Sequence, residues 1–145
     1  MNAAPGTVRR IICVGSRHQP QDWVGPAVFE ELAGEELPPE VELIDGGLAG
    51  LDLLRLMPPG ARVVLVDRLI GFGDPGEVAV LEREEAAGLT GERFDHAAGL
   101  PYLLRVLPAV GGEPLPRVTL VGADGEPDRE LVRRVARRAR VEVCS

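Results

Sequence analysis

The chain has no lysine at all: its 16 basic residues are all arginine. A lysine nucleophile, a Schiff base and a phosphate-loop lysine are thereby excluded. Aromatic residues are scarce at 3%, too few for the stacking platforms that grip single-stranded nucleic acid. The formal net charge of −7 leaves no broadly basic surface to neutralise phosphates, so no nucleic-acid partner is expected. Two cysteines, Cys13 and Cys144, are too few for a disulfide framework or a thiolate zinc site and read as reduced thiols. No apolar run is long enough to span a bilayer. The start, MNAAPGTVRR, lacks a long apolar segment after its basic residues, so no signal peptide is expected and the cytoplasm is the expected location.

What remains is an ordinary globular balance, 45% hydrophobic and 27% charged over 145 residues, which predicts one domain over 1–145 with a disordered lead-in at 1–7. Strands are expected at Val8–Val14, Val41–Ile44, Arg62–Asp67, Glu77–Leu81 and Arg117–Val121, from short β-branched runs bounded by turn residues. Helices are expected at Val24–Leu37, Leu48–Met57, Ala97–Leu107 and Asp128–Arg140, from apolar residues three and four apart. The stretch 82–95 is polar and shows no clear period. This alternation predicts an α/β fold, a three-layer α/β/α sandwich on a mainly parallel twisted sheet of about five strands. Six arginines on the closing helix read as a solvated face.

Ligands of such sheets sit beyond the carboxyl ends of the strands. Three loops there carry Asp22, Asp45 and Asp67. Asp67 ends a four-residue apolar run, where a charged carboxylate needs a partner: a metal, a proton to move, or backbone amides in a strand-end cap. Asp22 is a ligand candidate or the N-cap of the helix that follows it. His96, one of two histidines, is a ligand or a structural residue, with Asp95 able to orient it or to cap a helix. Asp45, Gly46 and Gly47 form a strand-to-helix turn able to bring backbone close to a ligand, or a simple tight turn. Two carboxylates and an imidazole would hold a divalent metal weakly, with coordination positions left open. The G-x-G-x-x-G spacing of a dinucleotide site is absent.

Taken in order, several segments resemble the hydrogenase maturation proteases. Cys13-Val14-Gly15 opens a loop that closes at Gly25. Leu43-Ile44-Asp45-Gly46-Gly47 and Gly50-Leu51-Asp52-Leu53-Leu54 are similar to the family's DGG and GLDLL segments. Val64-Leu65-Val66-Asp67, Pro75-Gly76-Glu77-Val78, His96 with Gly99-Leu100, and Leu120-Val121-Gly122 continue the match. The resemblance implies an endopeptidase that removes the C-terminal extension of a nickel-loaded hydrogenase large-subunit precursor, with aspartic-type activity. It implies that Asp22, Asp67 and His96 contact nickel supplied by the substrate, and that another divalent metal can take the site in the isolated protein. A monomer acting on that precursor is the expected state. The first loop departs from the family: Ser16 stands for its usual Asn, Gln21 for an acidic residue, Trp23 for Gly or Ala, and Arg17, His18 and Gln19 for apolar residues. The alternatives are a relative that binds or chaperones without cleaving and, from another class, a small nucleotide-binding protein.

Overall fold

In a computed structural model of the chain, residues 6–48, 50–72, 74–88 and 100–145 are described. The first strand, β1 (Arg9–Val14), is buried along nearly its whole length. It is followed by a 3-10 turn at Pro20–Asp22 and helix α1 (Val24–Ala33). Next come β2 (Val41–Gly47), a 3-10 helix at Gly50–Leu56, and β3 (Arg62–Arg68). Strand β4 (Val78–Glu82), helices α2 (Arg83–Ala87) and α3 (Leu100–Val110), strand β5 (Arg117–Ala123) and helix α4 (Arg129–Val143) complete the order.

The sheet runs β2-β1-β3-β5-β4. The first four are parallel, and β4 lies antiparallel on β5 at the edge. Helices α1 and α4 cover one face, closing a core of Ile11, Val28, Leu32, Val64, Val66 and Val135. The 3-10 helix, α2 and α3 cover the other, around Ile12, Leu53, Leu65, Leu103, Leu107 and Leu120. This is the expected three-layer α/β/α architecture. Parallel strands covered on both faces need continuous apolar runs, and Val63-Val64-Leu65-Val66 is fully buried.

Several boundaries differ from expectation, each for a local reason. Helix α1 stops at Ala33, not Leu37, because Gly34 takes the C-cap and its amide turns back to Glu31 and Leu32 carbonyls. The segment expected as an α-helix at Leu48–Met57 winds as a 3-10 helix. Three residues per turn place buried Leu53 above half-buried Leu56 within the few residues left before Pro58. The unassigned stretch after β4 begins with α2, held by a capping box in which the Glu82 amide donates to Glu85 Oε1 at 3.1 Å. Glutamate is not a favoured N-cap, so the signature was hidden. Asp128 is the N-cap of α4, accepting from the Leu131 amide, and the helix runs on to bury Val143. Of its six arginines, Arg134 donates to the Gly76 carbonyl, Arg138 pairs with Glu142 and Arg140 with Glu35; Arg129, Arg133, Arg137 and Arg138 are exposed.

At the opposite, amino end of the sheet, Arg9, Arg62 and Arg117 stand in register on adjacent strands. Arg62 is 2% exposed, its Nε lacks a hydrogen-bond partner, and its nearest carboxylate oxygen is 3.8 Å away on Glu142. Burial, then the charge of Arg117, brings its pKa down to about 10. Its Nη1 donates to the Val63 and Arg117 carbonyls at 3.2 Å each, but the charge has no close partner, and an apolar residue in place of such a buried charge is often neutral or stabilising. Arg62→Met is therefore expected to raise the unfolding free energy measured in urea, by on the order of 1 kcal/mol; a lower value would show that the guanidinium is net stabilising.

Candidate active site

The strand order reverses between β1 and β3: the chain goes outward from β1 to β2, then returns to place β3 on the other side of β1. The carboxyl end of that pair is the crevice where an open α/β sheet takes its ligand. Both Asp22 and Asp67 sit there.

Asp67 is the penultimate residue of β3, 1% exposed. Its Oδ1 accepts from the Arg68 amide at 2.8 Å, while Oδ2 has no hydrogen-bond partner among the described residues. Burial pushes the Asp67 carboxyl well above the usual carboxylate range; the Arg68 amide opposes this, and the nearby charge of Asp22 adds to it. The strand-end cap is thus half the account: one oxygen caps, and the other is left over.

Asp22 is not the N-cap of α1. That position belongs to Trp23, and no side chain caps the helix. Asp22 lies instead at the end of the 3-10 turn started by Pro20, 4% exposed, its amide bonded to the Gln19 carbonyl at 2.9 Å. The Ser16 amide approaches its Oδ2 at 3.4 Å. The loop returns on itself because Gly15 has φ of +140° and a Cβ there would lie 3.0 Å from the Asp22 carbonyl oxygen.

Asp45, Gly46 and Gly47 are the last residues of β2, not a turn beyond it. Gly46 is required by packing, since a Cβ would stand 2.8 Å from Ile12 Cγ2, and Gly47 by its φ of +52°. The Gly47 carbonyl accepts from the Gly15 amide at 3.0 Å. Asp45 Oδ1 accepts from the Gly47 amide and Oδ2 from Arg17 at 2.9 Å. With Gly15, His18 and Leu48, Asp45 and Gly47 edge a groove of about 290 Å³.

His96 lies outside the described residues. Among the described residues, no three His, Cys, Asp or Glu side chains gather as a metal site; Asp22 stands near enough to Asp67 for its charge to bear on that carboxyl. Nucleophilic routes through Cys13 and Ser16, the described thiol and hydroxyl of this loop and the strand before it, are poorly served. Burial drives the Cys13 thiol far up, away from the thiolate a nucleophile needs. Ser16 Oγ is engaged by the His18 backbone amide at 3.1 Å.

Four contacts at the crevice lie beyond what the sequence indicates. Arg68 Nε meets Asp124 Oδ1 at 3.0 Å, tying the end of β3 to that of β5. Trp23 Nε1 donates to the Gly125 carbonyl at 3.0 Å, and Arg17 joins Asp45 to Glu30. All span distant segments, and no local pattern signals them.

A sequence model of the hydrogenase maturation protease family matches residues 26–134. The hydrogenase 2 maturation protease of Escherichia coli (strain K12) is 30% identical over 115 residues, covering 77% of this chain and 70% of that protein. The chain belongs to the hydrogenase maturation protease family. Solved structures agree: the E. coli hydrogenase maturating endopeptidase HybD superposes with a TM-score of 0.71 at 28% identity, over 92% of this chain and 88% of that one. A solution structure of an E. coli endopeptidase gives 0.68 at 29% identity, over 92% and 89%. Like its relatives, this hydrogenase maturation protease is a peptidase, and its buried aspartates lie at the crevice the fold reserves for ligands. Among its described residues no helix is long and apolar enough to cross a membrane.

Proposed function

We propose that this protease removes the C-terminal extension of a hydrogenase large-subunit precursor that already carries nickel, and that Asp22, Asp67 and His96 face that nickel. The observation that carries the reading is the buried pair: Asp67 Oδ2, hydrogen-bonded to nothing described, in a carboxyl whose acidity is suppressed by burial and by Asp22. A cation delivered by the substrate would relieve that frustration. Oδ2 is the oxygen open to that cation, because Oδ1 is accepting from the Arg68 amide. A metal ion beside the scissile bond polarises its carbonyl or acidifies water. Within the chain, Asp67 as a carboxylate would be placed to take a proton from water. Two neighbouring acidic side chains, one of them with its acidity suppressed by burial, support the aspartic-type reading.

With only carboxylate and imidazole donors, the site suits a borderline divalent ion held weakly. It would fill when substrate thiolates complete it, and another divalent metal could occupy it otherwise. The partner is then the precursor itself, engaged by a monomer in the cytoplasm.

The test is cleavage in vitro of the nickel-loaded precursor by wild type, Asp67→Ala and His96→Ala. Wild type is expected to cleave, and each variant to lose activity by about 10²-fold or more while still binding the precursor. Binding without cleavage by wild type would select the second reading, a relative that has kept recognition alone. One observation favours that alternative: the family match begins at residue 26, just beyond the altered loop.

A further inference from the structure

The loop that carries Asp22 has no apolar anchor in its outer limb: Arg17 through Gln21 are all exposed. Its two ends are fixed. Gly15 bonds to Gly47, and Asp22 is buried at the start of α1. Between them, among the described residues, Arg17 is the side chain of the limb that reaches outside it. Its Nη2 lies 2.9 Å from Asp45 Oδ2 on β2, and its Nη1 3.1 Å from Glu30 Oε1 on α1. The guanidinium also stands 5.7 Å over the ring of Phe29. A planar fork is suited to hold two carboxylates and a ring at once, which a lysine ammonium is not.

Arg17 also divides the surface. On one side is the groove with His18, Asp45 and Leu48. On the other is a trough of about 610 Å³ floored by Pro20, Trp23, Pro26 and Ala27. The side chain is thus a post between β2 and α1, with the loop fastened to it.

We propose that Arg17 is a positioning residue for the peptidase reaction, pinning the 15–23 loop to Asp45 and Glu30 and thereby holding Asp22 beside Asp67. This rests on the reading of Asp22 and Asp67 as the reacting pair. The pair Arg17–Asp45 is 46% and 41% exposed, so its removal leaves the core intact. Placement is another matter, because a displacement of about 1 Å in a catalytic group can cost 10²-fold in rate.

The experiment joins two readouts on wild type, Arg17→Ala and Arg17→Lys. Amide exchange at His18, Gln19 and Asp22 reports the loop without any substrate. Cleavage of the nickel-loaded precursor reports the reaction. Arg17→Ala is expected to speed exchange at these amides about tenfold, lower kcat tenfold or more with KM nearly unchanged, and shift the melting midpoint by less than about 2 °C. Arg17→Lys, able to hold one carboxylate but not both, falls between. Unchanged exchange in Arg17→Ala overturns the proposal, as does faster exchange with kcat intact. If wild type fails to cleave the precursor, the functional reading falls, and the exchange data alone decide whether Arg17 holds the loop.

Discussion

Asp67→Asn is expected to abolish precursor processing and, at neutral pH, to make the protein harder to unfold. The two effects share a cause. In the folded chain the Asp67 carboxyl is held well above its ordinary acidity range, chiefly by burial and then, against the pull of the Arg68 amide, by the charge of Asp22. In the unfolded chain it ionises near pH 4. Below that point both states keep the proton and the residue is neutral to stability. As pH rises past it, the unfolded chain gives up its proton while the folded chain must still hold it, so stability drains away until the folded pKa is reached. Asparagine copies the protonated carboxyl in shape, keeps an oxygen for the Arg68 amide, and has no proton to lose. The gap between variant and wild type should therefore be close to zero at pH 4 and open toward pH 8. Relieving one mismatched buried polar group is worth about 1–3 kcal/mol, or roughly 3–8 °C in melting midpoint for a chain of this size. Activity moves the other way, by about 10³-fold or more. Melting curves at pH 4, 6 and 8 beside the processing assay decide it. Equal midpoints at pH 8 would mean that Asp67 does not carry the buried proton. A stabilised variant that still processes would remove Asp67 from the mechanism.

That trade-off is the physical reason Asp67 was legible from sequence. A carboxylate closing Val63-Val64-Leu65-Val66 breaks the apolar rule of a buried strand, and local rules fail where function or strain overrides them. The layers and the central strands were legible for the converse reason, since in β1 and β3 each residue agrees with its neighbours. Direction was not: Val78–Glu82 reads as a strand whichever way it runs, and only its pairing with β5 makes it antiparallel. Asp22 was legible as a residue but ambiguous in role, because an aspartate before a helix is first of all a cap. Trp23 taking that position is settled by the bend of the 3-10 turn, which sequence does not show. The Arg17–Asp45 pair joins residues 28 apart in sequence, and nothing in either local window points to the other. His96, proposed as the third member, falls outside the described residues.

Gly25→Ala is expected to be among the most damaging single substitutions in the chain, although helix propensity forecasts the opposite. Gly25 is the second residue of α1, where exchanging glycine for alanine would ordinarily stabilise by up to about 1 kcal/mol. Here a Cβ would lie 1.9 Å from the Val14 carbonyl oxygen and 2.6 Å from its carbon. Both are backbone atoms of a buried strand, so no side chain can swing aside. Either α1 lifts off the sheet or the end of β1 is pushed away from it. Gly122 is in the same position against Asp67, its added Cβ 1.9 Å from that residue's carbonyl oxygen. At Gly34 the nearest atom, the Glu31 carbonyl oxygen, is 3.6 Å away, an ordinary contact, so Gly34→Ala is the control. The expected loss for Gly25→Ala exceeds about 4 kcal/mol, outside the usual range for a point substitution and a large part of a stability of about 5–15 kcal/mol. Soluble yield and the urea midpoint measure it, and a midpoint within error of wild type would mean that α1 and β1 are not packed this closely. The closeness matters to the reaction as well as the fold. Val14 ends the strand before the loop and Gly25 lies in the first turn of the helix after it, so their contact closes the loop's base. Asp22 hangs from that base from within, and Arg17 steadies it from outside. A methyl group at Gly25 would move the aspartate even in the molecules that still fold.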